Sequence, residues 1–480
     1  MRLKTSFIAL ASAVALFSCG GGSSSSSTTN NNNNSGQSSN NKTFRIQAVY
    51  EDSCGNESPV TQASLIIHGS DFSNEQIISA NANGVMTYST SASTRDVSIV
   101  MPDIIEVAGV NPIEVVTTLE QPMVDAGKIR YYTSDSSQCE CRTLNFDAVA
   151  SARASDYPIF GALGGVDGYS SSSNLGQYNY TQVSQCKPIS GNYGAISSMI
   201  SFDNPDEAFG AFMPSASTDY FVVDQTLVGS QVSINTDEAN SKQAATYTGR
   251  DSHFRNYAFG YDDTPLYAFD HDDADYYRVT AYNFEDIYGI EGVDRADVFY
   301  LNAMNSEDIN QTFDLPLTAI DYMELAQLLN GDQPNYDLSH YSGFDFISMT
   351  VSARSANGRL FDWYMRAPTS GQLPSIENLD TNAFIPDSTV ESLIDTVNFR
   401  IGIYGYQGIS SYNDYLAKLS TNDGSPATRV SSDWNNYFGS RLSLTMSNVD
   451  LSPLKPLASV VKVKYNQPLV SKPSNNRALN

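Results

Sequence analysis

The sequence predicts a mainly β protein with several domains. Apolar and polar residues alternate with a period of two over many short segments, and turn signals such as Asn-Gly separate these segments. The composition agrees, because 29 Tyr and 22 Phe are bulky residues that favour strands. The chain has 480 residues, and a single hydrophobic core rarely serves more than about 300. We therefore expect more than one core.

The amino terminus has the composition of an export signal. Arg2 and Lys4 precede a short apolar run over residues 7–17, which is the layout of a secretory signal peptide and too short for a permanent membrane span. The run ends in the residues LFSC, the last of which is Cys19. We predict that residues 1–18 are removed on export.

The LFSC stretch resembles the lipobox of bacterial lipoproteins. The resemblance implies cleavage before Cys19 and acylation of that cysteine, so that the lipid would make the membrane a partner of the protein. In lipoproteins of bacteria with two membranes, an Asp after the cysteine implies retention in the inner membrane. The residue here is Gly20, so the resemblance implies the outer membrane. Ordinary secretion without a lipid is the alternative.

A flexible linker follows the cysteine. Residues 20–41 consist of Gly, Ser, Thr, Asn and one Gln, and such a segment has no apolar surface with which to offset the entropy of ordering. A coil of this length has a root-mean-square span of roughly 25 Å. We assign residues 19–43 to the cysteine and this linker.

The charge of the chain excludes one class of partner. There are 53 acidic and 27 basic residues, which gives a net charge of −26. A body this negative repels phosphate backbones, so we expect no nucleic-acid partner. The predicted tail, residues 451–480, has five bases and no acids, and we expect it to lie against the acidic body.

Four cysteines remain after Cys19, namely Cys54, Cys139, Cys141 and Cys186. An even number in an exported chain predicts two disulfides. Cys139 and Cys141 are too close in sequence for an unstrained bridge, so each should pair with Cys54 or Cys186, in an order that the spacing leaves open. A four-thiolate zinc site is the rival interpretation, but paired Cys-x-x-Cys motifs are missing.

Residues 44–140 form the first predicted β domain. Strands are predicted at residues 44–49, at SLIIHG, and in a hairpin in which Asn83 and Gly84 precede VMTYST. PVTQASLII followed by NANGVMTY resembles the transthyretin-like domains of carboxypeptidase regulatory regions. The residues that carry the likeness are Pro59, Val60, Ala63, Asn83, Gly84 and Val85. It implies an immunoglobulin-like or transthyretin-like sandwich that serves as a scaffold.

Two further β-rich domains are predicted. Residues 141–315 are rich in Tyr and Asp, with strands at AISSMISF, DYFVVD, YYRVTAYNF and ADVFYLNAM. Residues 316–450 begin with a helix, in which Thr318 and Asp321 resemble a capping box. A hairpin around Asn357 and Gly358, a short helix at 388–395 and strands at 397–403 and 441–446 follow.

The sequence motifs of common enzymes are missing. There is no nucleophile elbow, phosphate-binding loop, zinc-protease helix or dinucleotide glycine signature. The chain has only four histidines, which leaves little material for triads. We therefore predict no catalytic residues and no bound organic cofactor.

One acidic segment is a candidate calcium site. Residues 251–310 contain fourteen acids and three arginines, and a cation would relieve the repulsion between carboxylates. The candidate ligands are Asp270, Asp272, Asp273 and Asp275. The spacing does not fit an EF-hand, because Asp275 and Ala281 occupy the positions of its Gly and Glu. A solvated acidic loop is the alternative.

The function predicted from these observations is that of a membrane-anchored exported lipoprotein. It would act as a structural module or bind a protein or glycan through Tyr, Ser, Asn and Gly residues, a composition that favours adaptable binding surfaces. The alternative is a hydrolase of carbohydrates with paired carboxylates. Its candidate residues are the pairs Asp262–Asp263 and Asp272–Asp273, with Trp363 or Trp434 stacking on sugar rings.

Overall fold

The computed structural model describes residues 41–447, apart from residues 105, 108, 110, 134–135, 204–205, 215–219, 237–238, 249–250, 260–264, 289–292, 330–334, 373–393, 421–433 and 435. Across these residues the chain is mainly β, and the predicted fold class is confirmed. None of the described helices is long and apolar enough to cross a membrane. The predicted signal peptide, Cys19, nearly all of the linker and the tail lie outside the described residues.

Eight strands make up the amino-terminal part of the described chain. They are β1 (Lys42–Glu51), β2 (Glu57–Pro59), β3 (Ser64–His68), β4 (Asn74–Ser79), β5 (Val85–Thr90), β6 (Thr94–Pro102), β7 (Ile113–Pro122) and β8 (Asp125–Tyr132). β1 pairs with β2, β5 and β8, whereas β3, β4, β6 and β7 belong to a second sheet. Phe44 and Ile46 of β1 pack against Leu65 and Ile67 of β3, so the two sheets face each other across one core.

The middle of the chain forms two four-stranded sheets. Their strands are β9 (Cys139–Val149), β10 (Phe160–Gly164), β11 (Gly168–Asn174), β12 (Gln177–Pro188), β13 (Ile196–Asp203), β14 (Asp206–Met213), β15 (Tyr220–Asp224) and β16 (Leu227–Val228). The strand orders are β11-β12-β9-β15 and β10-β13-β14-β16. The two sheets share one core, and we call this unit the middle sandwich.

Thirteen strands and two helices follow in the described part. They are β17 (Ser230–Asn235), β18 (Ser241–Thr248), β19 (Asp251–Phe259), β20 (Leu266–Ala268), β21 (Tyr276–Ile287), β22 (Arg295–Ser306), β23 (Thr312–Asp314), α1 (Tyr322–Leu329), β24 (Asn335–Asp337), β25 (Phe346–Ser355), β26 (Gly358–Pro368), β27 (Ser370–Gln372), β28 (Thr396–Tyr406), α2 (Tyr412–Ser420) and β29 (Asn436–Ser447). α1 packs against the sheet through Leu325 and Ala326, and α2 packs through Tyr415 and Leu416.

One sheet of twelve strands runs through the molecule. Its order is β19-β18-β21-β22-β29-β28-β25-β26-β7-β6-β3-β4, so it takes strands from all three predicted β domains. All the pairs are antiparallel except β7 with β26. This parallel pair therefore joins the amino-terminal strands to the last third of the chain. The domain boundaries and the transthyretin-like identity stay predictions.

A buried ladder of side chains crosses four strands at this junction. His68 Nε2 lies 2.7 Å from Ser98 Oγ, and Ser98 Oγ lies 2.6 Å from Thr117 Oγ1. Trp363 Nε1 donates to Thr117 Oγ1 at 2.8 Å. All four side chains are buried, and these hydrogen bonds give both hydroxyls and the indole N–H partners inside the sheet. Burial lowers the pKa of His68 to about 4, and the imidazole is therefore neutral.

Beside the ladder, three carboxylates surround one guanidinium. Arg359 lies 3.1 Å from Asp362, 3.6 Å from Asp103 and 3.7 Å from Glu114. The Tyr131 hydroxyl donates to Asp103 at 2.9 Å and accepts from Arg359. Glu114 Oε1 and Asp362 Oδ1 are buried without a hydrogen-bond partner. Burial and the two neighbouring carboxylates raise the pKa of Glu114 to about 8, although Arg359 opposes the shift.

The strand predictions agree closely with the structure. The hairpin at Asn357–Gly358 is confirmed, because β25 and β26 pair from Phe346 to Ser355. The predicted first helix exists, but it begins at Tyr322, after both residues of the predicted capping box, Thr318 and Asp321. Asp321 precedes its first turn, and its carbonyl accepts the N–H of Glu324 at 3.0 Å. The helix predicted at residues 388–395 falls largely outside the described residues.

The raised pKa of Glu114 predicts a pH-dependent stability. The pKa of Glu114 is about 8 in the folded state, against an ordinary value of 4.5. Protonated Glu114 therefore makes its full contribution to the free energy of unfolding below pH 4.5. This contribution is lost as the pH rises to 8, at about 1.4 kcal/mol per pH unit. Glu114→Gln mimics the protonated group. Urea denaturation should show similar stability for both proteins near pH 5 and higher stability of the variant at pH 9.

The exposed Glu106 provides the matched control. Glu106→Gln should leave the pH profile of the free energy of unfolding unchanged. If Glu114→Gln is less stable than the native protein at pH 9, the ionised carboxylate of Glu114 stabilises the fold, and the assignment of a raised pKa is wrong.

Candidate functional site

The middle sandwich has one face in the core and one face in solvent. Side chains alternate along a strand, and Leu144, Phe146 and Ala148 of β9 point to the core, where they meet Ile196 and Ile200 of β13. The intervening residues of β9 therefore lie on the opposite face of the sheet. The same alternation holds on the neighbouring strands β12 and β15.

This outer face is polar and nearly free of charge. Its twelve positions are Tyr220, Val222 and Asp224 on β15; Asn145, Asp147 and Val149 on β9; Gln177, Asn179 and Thr181 on β12; and Ser170, Ser172 and Asn174 on β11. Each of them is exposed or half-buried. None is Lys or Arg, and only two are carboxylates. We call this surface the polar face.

A hydrogen-bonded row spans three strands of the polar face. The Tyr220 hydroxyl donates to Asp147 Oδ2 at 2.8 Å, and Asn179 Nδ2 donates to Asp147 Oδ1 at 2.6 Å. The hydrogen bond to Asp147 and its charge raise the pKa of the Tyr220 hydroxyl, which stays protonated. Tyr220 is 60% exposed and the neighbouring Val222 is 61% exposed. An aromatic ring and a methyl-bearing side chain thus lie beside an ordered carboxylate and amide.

A β-bulge shapes the centre of the polar face. The register between β9 and β12 shifts between Tyr180 and Val183, and Gln182 has a φ of 54°, a conformation that L residues rarely adopt. Asn145 Oδ1 accepts the backbone N–H of Gln182 at 3.0 Å. This hydrogen bond stabilises the bulge from the neighbouring strand, and it uses one amide oxygen of the polar face.

Two disulfides hold the sandwich at one end. Cys141 pairs with Cys186, the residue directly opposite on β12, and Cys139 pairs with Cys54 beyond the end of β1. The prediction that Cys139 and Cys141 each pair outward is confirmed, and the structure supplies the order that the sequence leaves open. The first bridge fixes the β9–β12 register, and the second ties the sandwich to the amino-terminal strands.

The polar face combines hydroxyl, amide and carboxylate groups with an exposed ring. Such groups can donate to and accept from the hydroxyls of a neutral ligand, and an aromatic ring can cover an apolar ligand face. Anionic ligands are disfavoured, because the face offers no cationic side chain. The arrangement suits recognition of an uncharged polyhydroxylated molecule.

The structure gives the predicted calcium ligands mixed surroundings. Asp270 Oδ1 accepts the Tyr277 hydroxyl at 2.9 Å, while Asp272, Asp273 and Asp275 are exposed in the following turn. In the described part of the chain, these four do not form a group of three ligand atoms within 4.8 Å of one another. The calcium site stays a prediction.

A different group of three potential metal ligands lies near the first disulfide. Asp52, Cys54 and Cys139 have ligand atoms within 4.8 Å, but the two sulfurs are bonded to each other. Asp52 Oδ1 accepts the backbone N–H groups of Cys54 and Asn56, each at 2.9 Å. Asp52 therefore closes a turn, and the group has no free thiolate for a metal.

The residues proposed for a hydrolase do not assemble in the described chain. Trp363 is buried in the ladder and has no exposed face for a sugar. Trp434 packs edge-on against Tyr406 at 4.8 Å. Asp262 and Asp263 lie outside the described residues.

Comparisons with known proteins do not assign the chain to a family. No family model and no curated protein matches the chain. Among solved structures, it is similar to the major pilin subunit of Bacillus cereus, with a TM-score of 0.12 and 8% identity over 57% of this chain and 99% of that one. A streptococcal ancillary pilin gives a TM-score of 0.11 and 7% identity over 58% and 99%. TM-scores this low carry no argument about fold or function.

Removal of the Cys141–Cys186 bridge should destabilise the protein. The two cysteines are 45 residues apart, and a bridge of this kind typically contributes about 2–4 kcal/mol by restricting the unfolded chain. We expect Cys141→Ser/Cys186→Ser to lower the free energy of unfolding by that amount in urea denaturation.

Removal of the other bridge provides the comparison. In Cys54→Ser/Cys139→Ser the bridge that is lost spans 85 residues. Peptide mapping of the native protein without reductant should recover linked peptides for each pair. A linked peptide that joins Cys54 to Cys186 would contradict the pairing.

Proposed function

We propose that the chain is an exported, lipid-anchored surface module that binds a neutral glycan through the polar face. The row Tyr220–Asp147–Asn179 carries the proposal, because it presents an exposed ring next to ordered polar groups. Sugars offer both hydroxyl groups and apolar C–H faces. A binding site for them needs both kinds of contact in fixed positions.

The rigidity of the polar face supports this function. Binding is weakened when side chains must be ordered on contact, and Asp147 is already held by two hydrogen bonds. The Cys141–Cys186 bridge fixes the pair of strands that carries Asp147 and Asn179. The site is therefore organised before a ligand arrives.

The position of the first strand supports the anchoring. β1 begins at Lys42, directly after the Gly, Ser and Asn linker that follows Cys19. β1 pairs with β5 and with β8 over six residues each. A lipid at Cys19 would thus connect through a flexible coil to a strand with partners on both edges.

Loss of the Tyr220 ring should reduce glycan binding. We expect Tyr220→Ala to bind at least tenfold more weakly than the native chain to members of a panel of neutral oligosaccharides, because the ring supplies the main apolar contact. Isothermal titration of the detergent-purified full chain measures the dissociation constants. Tyr288 is the control, since it is 78% exposed and its hydroxyl also contacts a carboxylate, at 3.5 Å from Asp286.

Tyr288→Ala should bind as the native chain does. The proposal fails if the native chain binds no oligosaccharide of the panel, or if Tyr220→Ala retains full affinity.

Replacement of the predicted lipidation site should release the protein. We expect the native chain to sediment with membranes and to carry acyl mass. Cys19→Ser lacks the predicted site of acylation, and stable anchoring needs two acyl chains or more. We therefore expect this variant to be soluble and unacylated. Cell fractionation with mass spectrometry of the amino-terminal peptide measures both. Membrane association of Cys19→Ser without acyl mass would contradict the anchoring and leave the glycan site untouched.

A further inference from the structure

Two arginines lie next to each other on one face of the twelve-stranded sheet. Arg400 is on β28 and Arg441 is on β29, and the register places Arg400 opposite Ser443 and Arg441 opposite Gly402. The two arginines are therefore diagonal neighbours on adjacent strands, a spacing within reach of long side chains. Leu442, between Arg441 and Ser443, belongs to the core, so both guanidinium groups lie on the opposite face of the sheet.

Neither guanidinium group has an acceptor in the described part of the chain. No carboxylate of those residues lies within ion-pair distance of Arg400 or Arg441, and none of their polar atoms accepts a hydrogen bond from either group. Nε of Arg441 is shielded from solvent without a hydrogen-bond partner, which is rare for a buried donor. The other nitrogens of these two half-buried side chains are not shielded in this way, and they stay open to a ligand.

This lack of acceptors is unusual in so acidic a chain. The chain has 53 acidic and 27 basic residues. Asp297 is close enough for the charges of Arg441 and Arg400 to lower its pKa, against the larger effect of burial, but its ion pair is with Arg295 at 3.9 Å. Six arginines elsewhere in the described chain each form an ion pair with a carboxylate: Arg45, Arg95, Arg130, Arg153, Arg295 and Arg359.

The two guanidinium groups also repel each other. Burial lowers the pKa of Arg400, and the charge of Arg441 lowers it further, although Asp297 opposes the shift. Like charges on neighbouring strands destabilise a sheet. A bound anion between the two groups would offset this repulsion.

A tyrosine hydroxyl adds a third donor. The ring of Tyr404 lies over Gly402 and Gly439, since a Cβ on Gly402 would be 2.7 Å from the Tyr404 hydroxyl and a Cβ on Gly439 would overlap the ring. The hydroxyl therefore lies above the residue that is opposite Arg441. Burial raises the pKa of Tyr404, so the hydroxyl keeps its proton, and no residue that the structure describes accepts it.

Aromatic side chains lie beside these donors. The guanidinium carbon of Arg441 is over the ring of Phe299, 4.8 Å from its centroid. The ring of Tyr282 follows at 5.7 Å from that of Phe299, and both rings are half-buried. They present an apolar surface next to positive charge, which suits a ligand that has both an acidic group and a C–H face.

We propose that Arg400, Arg441 and the Tyr404 hydroxyl bind the carboxylate of a uronic-acid saccharide. Planar guanidinium groups match the two oxygens of a carboxylate. A carboxylate carries a single negative charge, and in a chain of charge −26 it meets less repulsion than a phosphate does. The rings of Phe299 and Tyr282 would cover the C–H face of the sugar. The site belongs to the twelve-stranded sheet, so it is separate from the polar face and does not depend on the binding of neutral glycans.

Isothermal titration of the detergent-purified full chain with an oligogalacturonate tests the proposal. The methyl ester of the same oligosaccharide is the matched ligand, because it keeps the sugar rings and removes the charge. We expect the acid to bind at least tenfold more tightly than the ester, since a carboxylate accepts charge-assisted hydrogen bonds. Its affinity should fall when NaCl is raised from about 20 to about 200 mM, because salt screens the attraction.

Arg400→Gln and Arg441→Gln should each weaken the binding of the acid at least tenfold. Arg45→Gln is the matched control, since Arg45 is on β1 and forms an ion pair with Asp125 at 3.1 Å. This variant should bind the acid as the native chain does. The comparison of acid with ester in the native chain decides the matter even if a variant fails to fold.

Three results would overturn the proposal: the native chain does not bind the acid, acid and ester bind equally well, or both glutamine variants keep the native affinity. Equal affinity for an oligoglutamate peptide would exclude a saccharide as the specific ligand. Titration with the neutral oligosaccharides tests the polar face alone, so the two sites can fail independently.

Discussion

The parallel pairing of β7 with β26 is the contact on which the large sheet depends. The two strands come from opposite parts of the chain, so no turn sets their register. The buried ladder sets it instead, because Trp363 Nε1 reaches Thr117 Oγ1 only in the observed alignment. A shift by one residue would turn every side chain of β26 to the other face, and it would leave the indole N–H of Trp363 buried without its partner.

The ion pairs between Arg359 and its neighbouring carboxylates favour the same register of β7 and β26. Glu114 and Asp362 are opposite each other on β7 and β26, and Arg359 lies within ion-pair distance of both. Burying three carboxylates with one guanidinium costs free energy that an apolar cluster would not. Asp362 is on the same strand as Arg359, but in any other alignment Glu114 would be separated from Arg359 at a still higher cost. The proton on Glu114 reduces the imbalance by one charge, which explains how so acidic a group is accommodated in a sheet interior.

Local patterns in the sequence predict the strands well, because alternation and turn chemistry are local properties. RLSLTM and YYRVTAYNF lie within the expected strands β29 and β21. The pairing of distant strands leaves no such pattern, so the sequence indicates neither the β7–β26 junction nor the row Tyr220–Asp147–Asn179. DYFVVD predicts the strand that carries Tyr220, but Asp147 meets it only through a parallel pairing with β9.

The two outer surfaces of the middle sandwich have different surroundings. The sheet that contains β13 and β14 is covered, because Met199 packs against Phe254 and Phe269 of the adjoining layer. The opposite sheet has its polar face in solvent, and the Cys141–Cys186 bridge holds its register. The covered side therefore carries the attachment to the large sheet, while the open side keeps its side chains available. Because the whole chain has a charge of −26 and the polar face has no cation to offset it, approaching anions are repelled at long range and lack a partner at short range. An uncharged ligand would meet neither obstacle.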